Sequence, residues 1–416
     1  MYIQTKKMVA WWRHEDVLHR FVCDLIGAEL FFLRRSRAGL PPLPWQAGMR
    51  LQDELGVDSL EWSLLASALA NCLHMHDDEL GERLLLSATL ADWTACARDS
   101  LARRDSAITF RTSGSSGAPK NCTHRLDLLW QEAAYFAALF PEAKRIVSVV
   151  PCHHIYGFLF SVLVPLAAPR REIEWIDGRR MLPAELARQA ATGDVIIAYP
   201  EFWAAVAARM PRFAAGVTGV TSTGPCCASV GRQLHGAGLD FLEVYGSSET
   251  AGVGWRRGTT ESYALLPYWR RAPAPGMLVR DADGGEYPVQ CQDTLVWHDE
   301  GHFLPAGRRD HAVQVGGVNV SPEEVAAVLR RHAGVRDAAV RLMRPDEGQR
   351  LKAYVVPLDE RDAATLGAQL ALWVRTVLAP ASRPVAFTVG LALPSDAQGK
   401  LADWMIGDSE AAWECG

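Results

Sequence analysis

Apolar residues recur every three or four positions over about the first hundred residues, which is the spacing of amphipathic helices. The pattern predicts helices over residues 14–30, 58–73 and 86–101, with a proline-rich connection, LPPLPW, at residues 40–45. We therefore expect a small helical bundle over residues 14–104.

From residue 105 the pattern changes to short apolar runs that alternate with amphipathic stretches. The runs AITF, RIVSVVP, DVIIAYP, GVTGVTSTG and FLEVYG are typical of buried strands, and LLWQEAAYFAALF between them has helical spacing. Alternation of strand and helix predicts an α/β core with a mainly parallel sheet over residues 105–306.

A third pattern begins at residue 307. The run HAVQVGGVNV predicts a strand, and SPEEVAAVLRRHAGV predicts a helix that Ser321 caps, with Pro322 in its first position and Glu324 three residues after the cap. Residues 307–416 are therefore expected to form a small α+β domain. At about 150 residues per domain, a chain of 416 residues agrees with two or three domains.

Composition and charge narrow the function. With 49% hydrophobic and 22% charged residues, the sequence is typical of a globular protein. The net charge of −5 and the lack of any Lys/Arg-rich run argue against a nucleic-acid partner. No stretch approaches 18 apolar residues and no signal-peptide pattern opens the chain, so we expect no membrane insertion and a cytoplasmic location.

The cysteines give no sign of disulfides or of a structural metal. There are nine, an odd number, without a CxxC pair. Cys226 and Cys227 are adjacent, a spacing that does not suit two ligands of one zinc ion. We expect reduced thiols and no structural metal site.

The strand AITF leads through Arg111 into TSGSSGAPK at residues 112–120. Four hydroxyls, two glycines and a terminal lysine supply O–H, N–H and ammonium donors that suit phosphate oxygens. The spacing is not that of a Walker A loop. A solvated Ser/Gly turn is the alternative interpretation.

A second segment, VYGSSETAG, follows at residues 244–252. The two segments together resemble the ATP motifs of the acyl-adenylate-forming family, which includes acyl-CoA synthetases, aryl-CoA ligases and the adenylation domains of peptide synthetases. The resemblance covers roughly residues 105–405 and implies that Thr250 contacts phosphate and that Glu249 helps to hold magnesium. By itself, Glu249 would more often be a helix-capping carboxylate. The residues that the resemblance assigns to ATP or AMP in these motifs are Thr112, Ser113, Gly114, Ser115, Ser116, Gly117, Lys120, Tyr245 and Gly246.

Two further ATP motifs follow in the order that the resemblance requires. Asp293 stands fifteen residues before Arg308, as do the family's acid and arginine that contact the ribose hydroxyls. The family's usual Thr-Gly before this acid is replaced by Cys291 and Gln292. Lys400, in PSDAQGKL, resembles the mobile catalytic lysine that brings positive charge to the substrate carboxylate and the α-phosphate.

The resemblance also implies residues for the acyl pocket. His154, with His153 as the second choice, and Tyr156 lie in PCHHIYGF, which resembles a family motif that borders this pocket. A histidine hydrogen-bonded inside a turn is the alternative. Gly224, in STGPC, belongs to a strip that is implied to pack on the adenine and the acyl group.

The C-terminal domain resembles the family's mobile lid. Asp310, in GRRD, is implied to be the hinge about which the lid turns after adenylation. Gly316 and Gly317 match the strand that then faces the incoming thiol. His311 stands where the family usually has a second acid.

The front end is unusual, because the first phosphate loop arrives earlier than in most members of the family, so the core is expected to be truncated on its N-terminal side. LQDELGVDSLEWSLLASALAN resembles the motif of an acyl carrier protein, in which Ser59 would bear 4′-phosphopantetheine added by a phosphopantetheinyl transferase. The alternative is that Asp58 and Ser59 cap a helix.

These observations predict an AMP-forming acid–thiol ligase that uses ATP and Mg²⁺. The acid would be an aryl or short acyl acid, and the thiol would be on Ser59, on a separate acyl carrier protein or on CoA. A non-catalytic carrier or binding protein with a degenerate adenylation domain is the alternative. A serine hydrolase is disfavoured because neither TSGSSGA nor YGSSETA has the GxSxG spacing.

Overall fold

A computed structural model describes residues 8–34, 40–75, 79–112, 120–169, 173–258, 260–344, 346–395 and 401–406. These residues fall into two compact units. The first contains the described residues of 8–112, 121–291 and 296–304, and the second contains Lys120, 292–295 and the described residues of 305–406. The predicted boundary at 104/105 falls inside the first unit, and the one at 306/307 lies near the junction at 304/305. None of the helices in the described part of the chain is long and apolar enough to cross a bilayer.

Helices open the first unit. They are α1 (Glu15–Arg34), α2 (Ser59–Leu73), α3 (Leu80–Leu86) and α4 (Leu90–Arg103). The three predicted helices are confirmed as α1, α2 and α4, and α3 is additional. Helix α2 begins with a capping box, in which the side chains of Asp58 and Glu61 accept hydrogen bonds from each other's backbone N–H groups.

Helix α1 packs into the interior of the first unit. The ring centroid of Phe21 lies 5.3 Å from that of Trp11 and 5.6 Å from that of Phe158, a residue of the α/β region. The buried Arg20 guanidinium donates to the carbonyl of Ser161 at 2.8 Å. The front helix and the α/β region therefore share one core.

The strands that follow form one large mixed sheet, a two-stranded sheet and a three-stranded sheet. They are β1 (Ala107–Thr112), β2 (Lys120–Arg125), β3 (Arg145–Ser148), β4 (Glu174–Asp177), β5 (Asp194–Ala198), β6 (Thr218–Thr221), β7 (Asp240–Ser247), β8 (Ala251–Arg257), β9 (Tyr263–Leu265), β10 (Trp269–Arg271), β11 (Met277–Ala282), β12 (Gly285–Gln290), β13 (Asp293–Trp297) and β14 (His302–Arg308). The large sheet has the order β13-β14-β9-β8-β7-β6-β5-β3-β4. It is parallel from β4 to β7 and antiparallel from β7 to β9, so the predicted parallel sheet is found in one part of it.

Helices connect the parallel strands. They are α6 (Ile155–Phe158), α7 (Val164–Ala167), α8 (Pro183–Gln189), α9 (Pro200–Ala207) and α10 (Ala228–Gly236), and α5 (Leu126–Leu139) precedes β3. Because the carboxyl ends of parallel strands meet at one edge of a sheet, the segments that follow β3, β5 and β6 gather there. Ligands of open α/β sheets bind at this edge.

The second unit has a core of its own, and its elements are β15 (Val313–Val315), β16 (Val318–Val320), α11 (Pro322–Leu329), β17 (Val335–Leu342), β18 (Leu351–Pro357), α12 (Ala363–Val377) and β19 (Pro384–Val389). Strands β17, β18 and β19 form a sheet, and Leu329, Val355 and Leu366 are buried against one another in its core. Ser321 accepts a hydrogen bond from the Glu324 N–H at 3.3 Å, so the predicted helix cap is confirmed.

One predicted strand is in fact a hairpin. HAVQVGGVNV was expected to be a single strand that includes Gly316 and Gly317, but these two residues form the turn between β15 and β16, where Val315 pairs with Val318. Their φ angles are 57° and 75°. Positive φ at both central residues is the requirement of a two-residue type I′ hairpin turn, and glycine meets it without steric cost.

Candidate active site

The predicted second ATP motif is a tight turn between β7 and β8. The N–H of Ser247 donates to Oγ1 of Thr250 at 3.0 Å, and the N–H groups of Glu249 and Thr250 each lie 3.2 Å from Oγ of Ser247. Ala251 then takes a left-handed φ of 58°. Thr250 is buried and Glu249 is exposed. The turn therefore exposes the acidic side chain of Glu249, and hydrogen bonds within the turn hold its backbone.

Glycines at both ends of this turn permit close approaches. A Cβ on Gly246 would lie 2.1 Å from the carbonyl oxygen of Ala251, and a Cβ on Gly252 would lie 2.3 Å from Oε1 of Glu132. Tyr245 is half-buried among aromatic rings of neighbouring strands. Steric crowding therefore explains why glycine follows Tyr245 and Ala251 in this motif.

Two side chains outside the predicted motifs contact the same turn. Nε2 of His124 lies 2.7 Å from the carbonyl oxygen of Ser248, and Oε1 of Glu132 accepts from the Gly252 N–H at 2.9 Å. Burial raises the pKa of Glu132 to about 7 and lowers the pKa of His124. Sequence reasoning missed both residues, because each contact spans about 120 residues of chain and leaves no local pattern.

The first loop leaves β1 and enters β2. Thr112 is the last residue of β1, and Lys120, the first of β2, is exposed. The predicted phosphate-binding residues between them lie outside the described residues, as does the side chain of Thr112. Phosphate binding by Ser113, Gly114, Ser115, Ser116 and Gly117 therefore stays a prediction.

The hairpin of β13 and β14 accounts for the fifteen-residue spacing between the predicted ribose contacts. The N–H of Arg309 donates to the carbonyl of Gln292 at 2.9 Å, so the adjacent positions Asp293 and Arg308 come opposite each other. The Arg308 guanidinium also donates to both oxygens of Asp310, at 2.8 and 2.7 Å. This contact lowers the pKa of Asp310 to about 2. Arg308 therefore links the predicted ribose position to the predicted hinge.

Lys400 itself lies outside the described residues, but the chain on either side of it is held in place. Ser395 and Leu401 form an antiparallel bridge, and the N–H of Ala402 donates to the carbonyl of Pro394 at 2.9 Å. The predicted role of Lys400 stays a prediction.

The predicted acyl-pocket residues lie near the carboxyl ends of parallel strands and have unequal surroundings. The side chain of His154 is exposed and makes no hydrogen bond with the described residues, so the alternative of a histidine whose ring is hydrogen-bonded inside a turn does not hold for it. Tyr156 is buried, and its hydroxyl lies 3.1 and 2.9 Å from the carbonyl oxygens of Ala198 and Val220. Gly224 lies in the loop after β6.

A cavity of about 310 Å³ opens at the carboxyl ends of β3 and β5. Val149, Tyr199 and Phe202 give it an apolar and aromatic lining, and Arg179 and Glu201 add charged groups of opposite sign. None of the three predicted acyl-pocket residues lines it. Sequence reasoning missed this cavity, because its lining comes from strand ends that only the folded sheet brings together.

A second cavity, of about 290 Å³, lies between the segment after Gly224 and β7. Cys226, Glu243 and Arg256 are among its lining residues. Glu243 is buried and already bound, because it accepts from the hydroxyl of Tyr263 at 2.7 Å and from Nε of Arg256 at 2.8 Å. This cavity is therefore partly polar, and the charges of its Glu243 and Arg256 are paired with each other.

Ser59 is the first residue of α2 and is exposed. The residue before it, Asp58, is the helix cap, so the capping alternative holds for Asp58. Phosphopantetheine on Ser59 stays a prediction.

Magnesium is implied as a partner of ATP, and the residues present fit that role. Mg²⁺ is commonly bound by one or two carboxylates together with substrate phosphates and water. Glu249 supplies one exposed carboxylate that makes no hydrogen bond or ion pair with the described residues, next to the hydroxyl of Thr250. Within the described part of the chain, no three His, Cys, Asp or Glu side chains are grouped so as to hold a metal ion. The donor set thus suits a cation that arrives with the nucleotide.

Comparisons with known proteins agree with this geometry. The family model "AMP-binding enzyme" matches residues 42–307, and "AMP-binding enzyme C-terminal domain" matches residues 324–400. The first match begins inside the segment that resembles an acyl carrier protein.

Two similar curated proteins are named 4-coumarate–CoA ligase. The chain is 36% identical to that of Halorhodospira halophila, over 93% of this chain and 98% of the relative. It is 35% identical to that of Rhodobacter capsulatus, over 93% of this chain and 100% of the relative.

Solved structures share the fold. The amide bond synthetase from Marinactinospora thermotolerans superposes with a TM-score of 0.57 at 17% identity, covering 93% of each chain. A malonyl-CoA ligase gives a TM-score of 0.53 at 22% identity, covering 69% of this chain and 71% of that one. The predicted adenylation core and C-terminal domain, and the predicted class of AMP-forming acid–thiol ligases, are confirmed by these matches, and the chain belongs to the AMP-binding enzyme family.

Proposed function

We propose that this protein uses Mg²⁺-ATP to convert an aryl acid of the hydroxycinnamate type into its acyl-adenylate and then transfers the acyl group to CoA. The observation that carries the proposal is the similarity of 35–36%, over 85–93% of this chain, to three proteins named 4-coumarate–CoA ligase. The exposed Glu249 beside Thr250, on a turn that both internal and external hydrogen bonds hold, supports it.

In the first half-reaction a carboxylate oxygen attacks the α-phosphorus, the bond to the β-phosphate breaks and pyrophosphate leaves. The loop that ends at Lys120 and the hydroxyl of Thr250 would bind the phosphates, and Lys400 would stabilise the charge that develops during attack. Glu249 would hold magnesium, which when bound neutralises phosphate charge. Asp293 would accept hydrogen bonds from the ribose hydroxyls.

The nucleotide base and the acid would be bound largely by apolar surface. The aromatic ring of Tyr245 offers a face on which adenine can stack. Both carbonyl contacts of Tyr156 engage its hydroxyl, so this side chain would meet the acid with its ring. The aromatic cavity at Tyr199 and Phe202 suits a planar aryl group better than a flexible alkyl chain.

In the second half-reaction the thiol sulfur attacks the acyl carbonyl, the bond to AMP breaks and the thiol proton is released. Asp310 would serve as the pivot of the lid, and the Gly316–Gly317 turn would face the thiol. Transfer to CoA is favoured over a carrier because the similar proteins are named CoA ligases. The non-catalytic alternative is disfavoured because the exposed Glu249 and the paired positions of Asp293 and Arg308 are retained.

The test is to measure ATP–pyrophosphate exchange with 4-coumarate, benzoate and octanoate, and then thioester formation with CoA by chromatography. We expect the highest exchange with 4-coumarate and a coumaroyl-CoA product. Glu249→Gln should lower the exchange rate by about 100-fold at fixed magnesium, because it removes the carboxylate that would hold the cation.

The same protein, coexpressed with a phosphopantetheinyl transferase, is then weighed intact. A mass gain at Ser59 that increases by one acyl group would replace CoA with the protein's own thiol as the acceptor. Preference for octanoate would contradict the aryl acid, and no exchange with any acid would contradict the enzyme function itself.

A further inference from the structure

The turn that carries Glu249 has two kinds of hydrogen bonds. Those between Ser247 and Thr250 lie inside the turn and fix its shape. They cannot fix where the turn lies, because both partners move with it. Its location depends on the pairing of β7 with β8 and on bonds from outside the turn, and His124 and Glu132 supply two of these outside bonds.

The first anchor is His124, on β2, the strand that follows the predicted phosphate loop. Its Nε2 lies 2.7 Å from the carbonyl oxygen of Ser248. Because a carbonyl only accepts, Nε2 must carry the proton. The ring is half-buried and lies 6.0 Å from that of Phe110 on β1, so its orientation is constrained by packing. Ser248 directly precedes Glu249, so this bond holds the residue next to the predicted metal ligand.

The second anchor is Glu132, on α5, which has no exposed surface. Its Oε1 accepts from the N–H of Gly252 at 2.9 Å, and the Gly252 carbonyl accepts from Nε1 of Trp269 at 2.8 Å. Nη1 of Arg280 lies 3.6 Å from the other oxygen, Oε2. Only glycine leaves room for the carboxylate at position 252. The chain that follows Thr250 is therefore fixed by a buried carboxylate that itself cannot move without repacking.

From these two anchors, one on each side of Glu249 and Thr250, we infer that His124 and Glu132 are positioning residues. They hold Glu249 and Thr250 where these residues bind the magnesium–phosphate group of ATP. The inference rests on the proposed function for the roles of Glu249 and Thr250. It means that nucleotide binding also depends on two residues that lie outside every predicted motif. Residues that orient metal ligands typically change metal affinity or activity by about 10–100-fold when they are replaced.

The test compares paired variants at each anchor. His124→Phe removes the donor and keeps the ring volume, whereas His124→Gln keeps an N–H donor. Glu132→Gln keeps the acceptor for Gly252, whereas Glu132→Leu removes it. His235→Phe is the matched control, because the His235 side chain is exposed on α10 and has no hydrogen bond with the described residues. If Glu132→Leu fails to fold, the two His124 variants still test the inference.

The first measurement is the magnesium concentration that gives half-maximal ATP binding, determined by calorimetry at fixed ATP. This measurement does not require the protein to be catalytically active. We expect His124→Phe to raise this magnesium concentration by about 10-fold or more. We expect His124→Gln to bring it most of the way back to the value of the unmodified protein. The second measurement is thioester formation from synthetic coumaroyl-AMP, which needs no magnesium–ATP and should change less than about 2-fold in the same variants.

A purely structural role would raise the magnesium requirement and slow thioester formation together, and an unchanged magnesium requirement in His124→Phe would overturn the inference. The proposed function is judged separately, from pyrophosphate exchange in the unmodified protein. A protein that binds ATP in a magnesium-dependent way but exchanges no pyrophosphate would contradict the proposed function, and its His124 variants would still support or overturn the inference.

Discussion

Each compact unit contains a buried charged side chain, but the bonds of these two side chains span different distances along the sequence. In the first unit, Asp24 of α1 is 3% exposed and accepts from the N–H of Cys152 at 2.8 Å and from Arg179 at 2.6 Å. In the second unit, Lys352 has no exposed surface and lies 2.8 Å from Glu347 and 3.1 Å from Asp403. Asp24 thus bonds to residues 128 and 155 positions away within the first unit, whereas Lys352 bonds to residues only 5 and 51 positions away within the second.

The difference shows which part of the chain can act as a separate body. A buried charge is expensive to expose or leave unpaired, so the chain segments that satisfy it must fold together. Helix α1 is tied in this way to the segment at Cys152, next to the predicted acyl-pocket residue His154. The Lys352 cluster requires only residues of the C-terminal unit, which agrees with a lid that turns as one piece.

The largest expected effect comes from breaking the long-range network. Asp24→Ala should lower the free energy of unfolding of the first unit by about 3 kcal/mol, because Arg179 and the Cys152 N–H lose a buried acceptor. Arg179 keeps Asp177, at 2.6 Å, which limits the loss. Urea unfolding followed by tryptophan fluorescence measures the change.

The matched control for Asp24→Ala is Asp53→Ala, which breaks an exposed pair with Arg50 and should cost less than about 1 kcal/mol. Hydrogen exchange then locates the effect. If protection is lost in α1 alone while β3 and β5 stay protected, the front helices unfold as a separate module, and the comparison drawn from Asp24 fails.

The sequence predicts local structure here better than it predicts long-range contacts. Helices α1, α2 and α4, the strands β5 to β7 and the Ser321 cap follow from periodicity and capping residues, which act over a few positions. The turn at Gly316 and Gly317 also has a local signal, since Gly-Gly between alternating valines is typical of a hairpin. Family matching had assigned this pair to a strand.

Contacts across the sheet could not be predicted in this way. Nothing in the sequence near His124 or Glu132 indicates that both reach one turn, because the contact exists only once β7 and β8 lie beside β2 and α5. The hydroxyl of Tyr156 is a similar case, since its partners are the carbonyls at the ends of two strands. Motif resemblance predicts the nucleotide-binding segments, but the bonds that hold these segments depend on the folded sheet.

A smaller effect is expected from the network of the second unit. Lys352→Met keeps the buried volume and removes the ammonium, and it should lower stability by about 2 kcal/mol. The loss is smaller than for Asp24→Ala because Glu347 keeps its bond to Arg344, at 2.8 Å, and Asp403 is partly exposed. Hydrogen exchange should show the loss in β18 and at residues 401–406, with the first unit unchanged.

The pH dependence sharpens the prediction for Lys352. Hydrogen bonds from Arg344 and then Lys352 hold the pKa of Glu347 at about 2, below its usual value of 4.5. Because the folded pKa is lowered, the stabilisation is present above about pH 4.5 and is lost as the pH falls towards 2. Lys352→Met should weaken this acid dependence in unfolding measured from pH 2 to 6. An unchanged dependence would mean that Arg344 alone sets the pKa.

The smallest expected effect is at the start of α2, and it tests whether the front helices respond to local changes. Asp58→Ala removes the side-chain acceptor for the Glu61 N–H at 2.8 Å, so the free energy of unfolding should fall by about 1 kcal/mol. Ser59→Ala changes an exposed side chain at the first helical position and should stay within about 0.5 kcal/mol. Urea unfolding measures both. A loss at Ser59 as large as at Asp58 would show that the serine is part of the cap. A neutral Ser59→Ala that abolishes thioester formation would show instead that the serine carries the thiol, and would leave α2 as the one place where a front helix serves the chemistry directly.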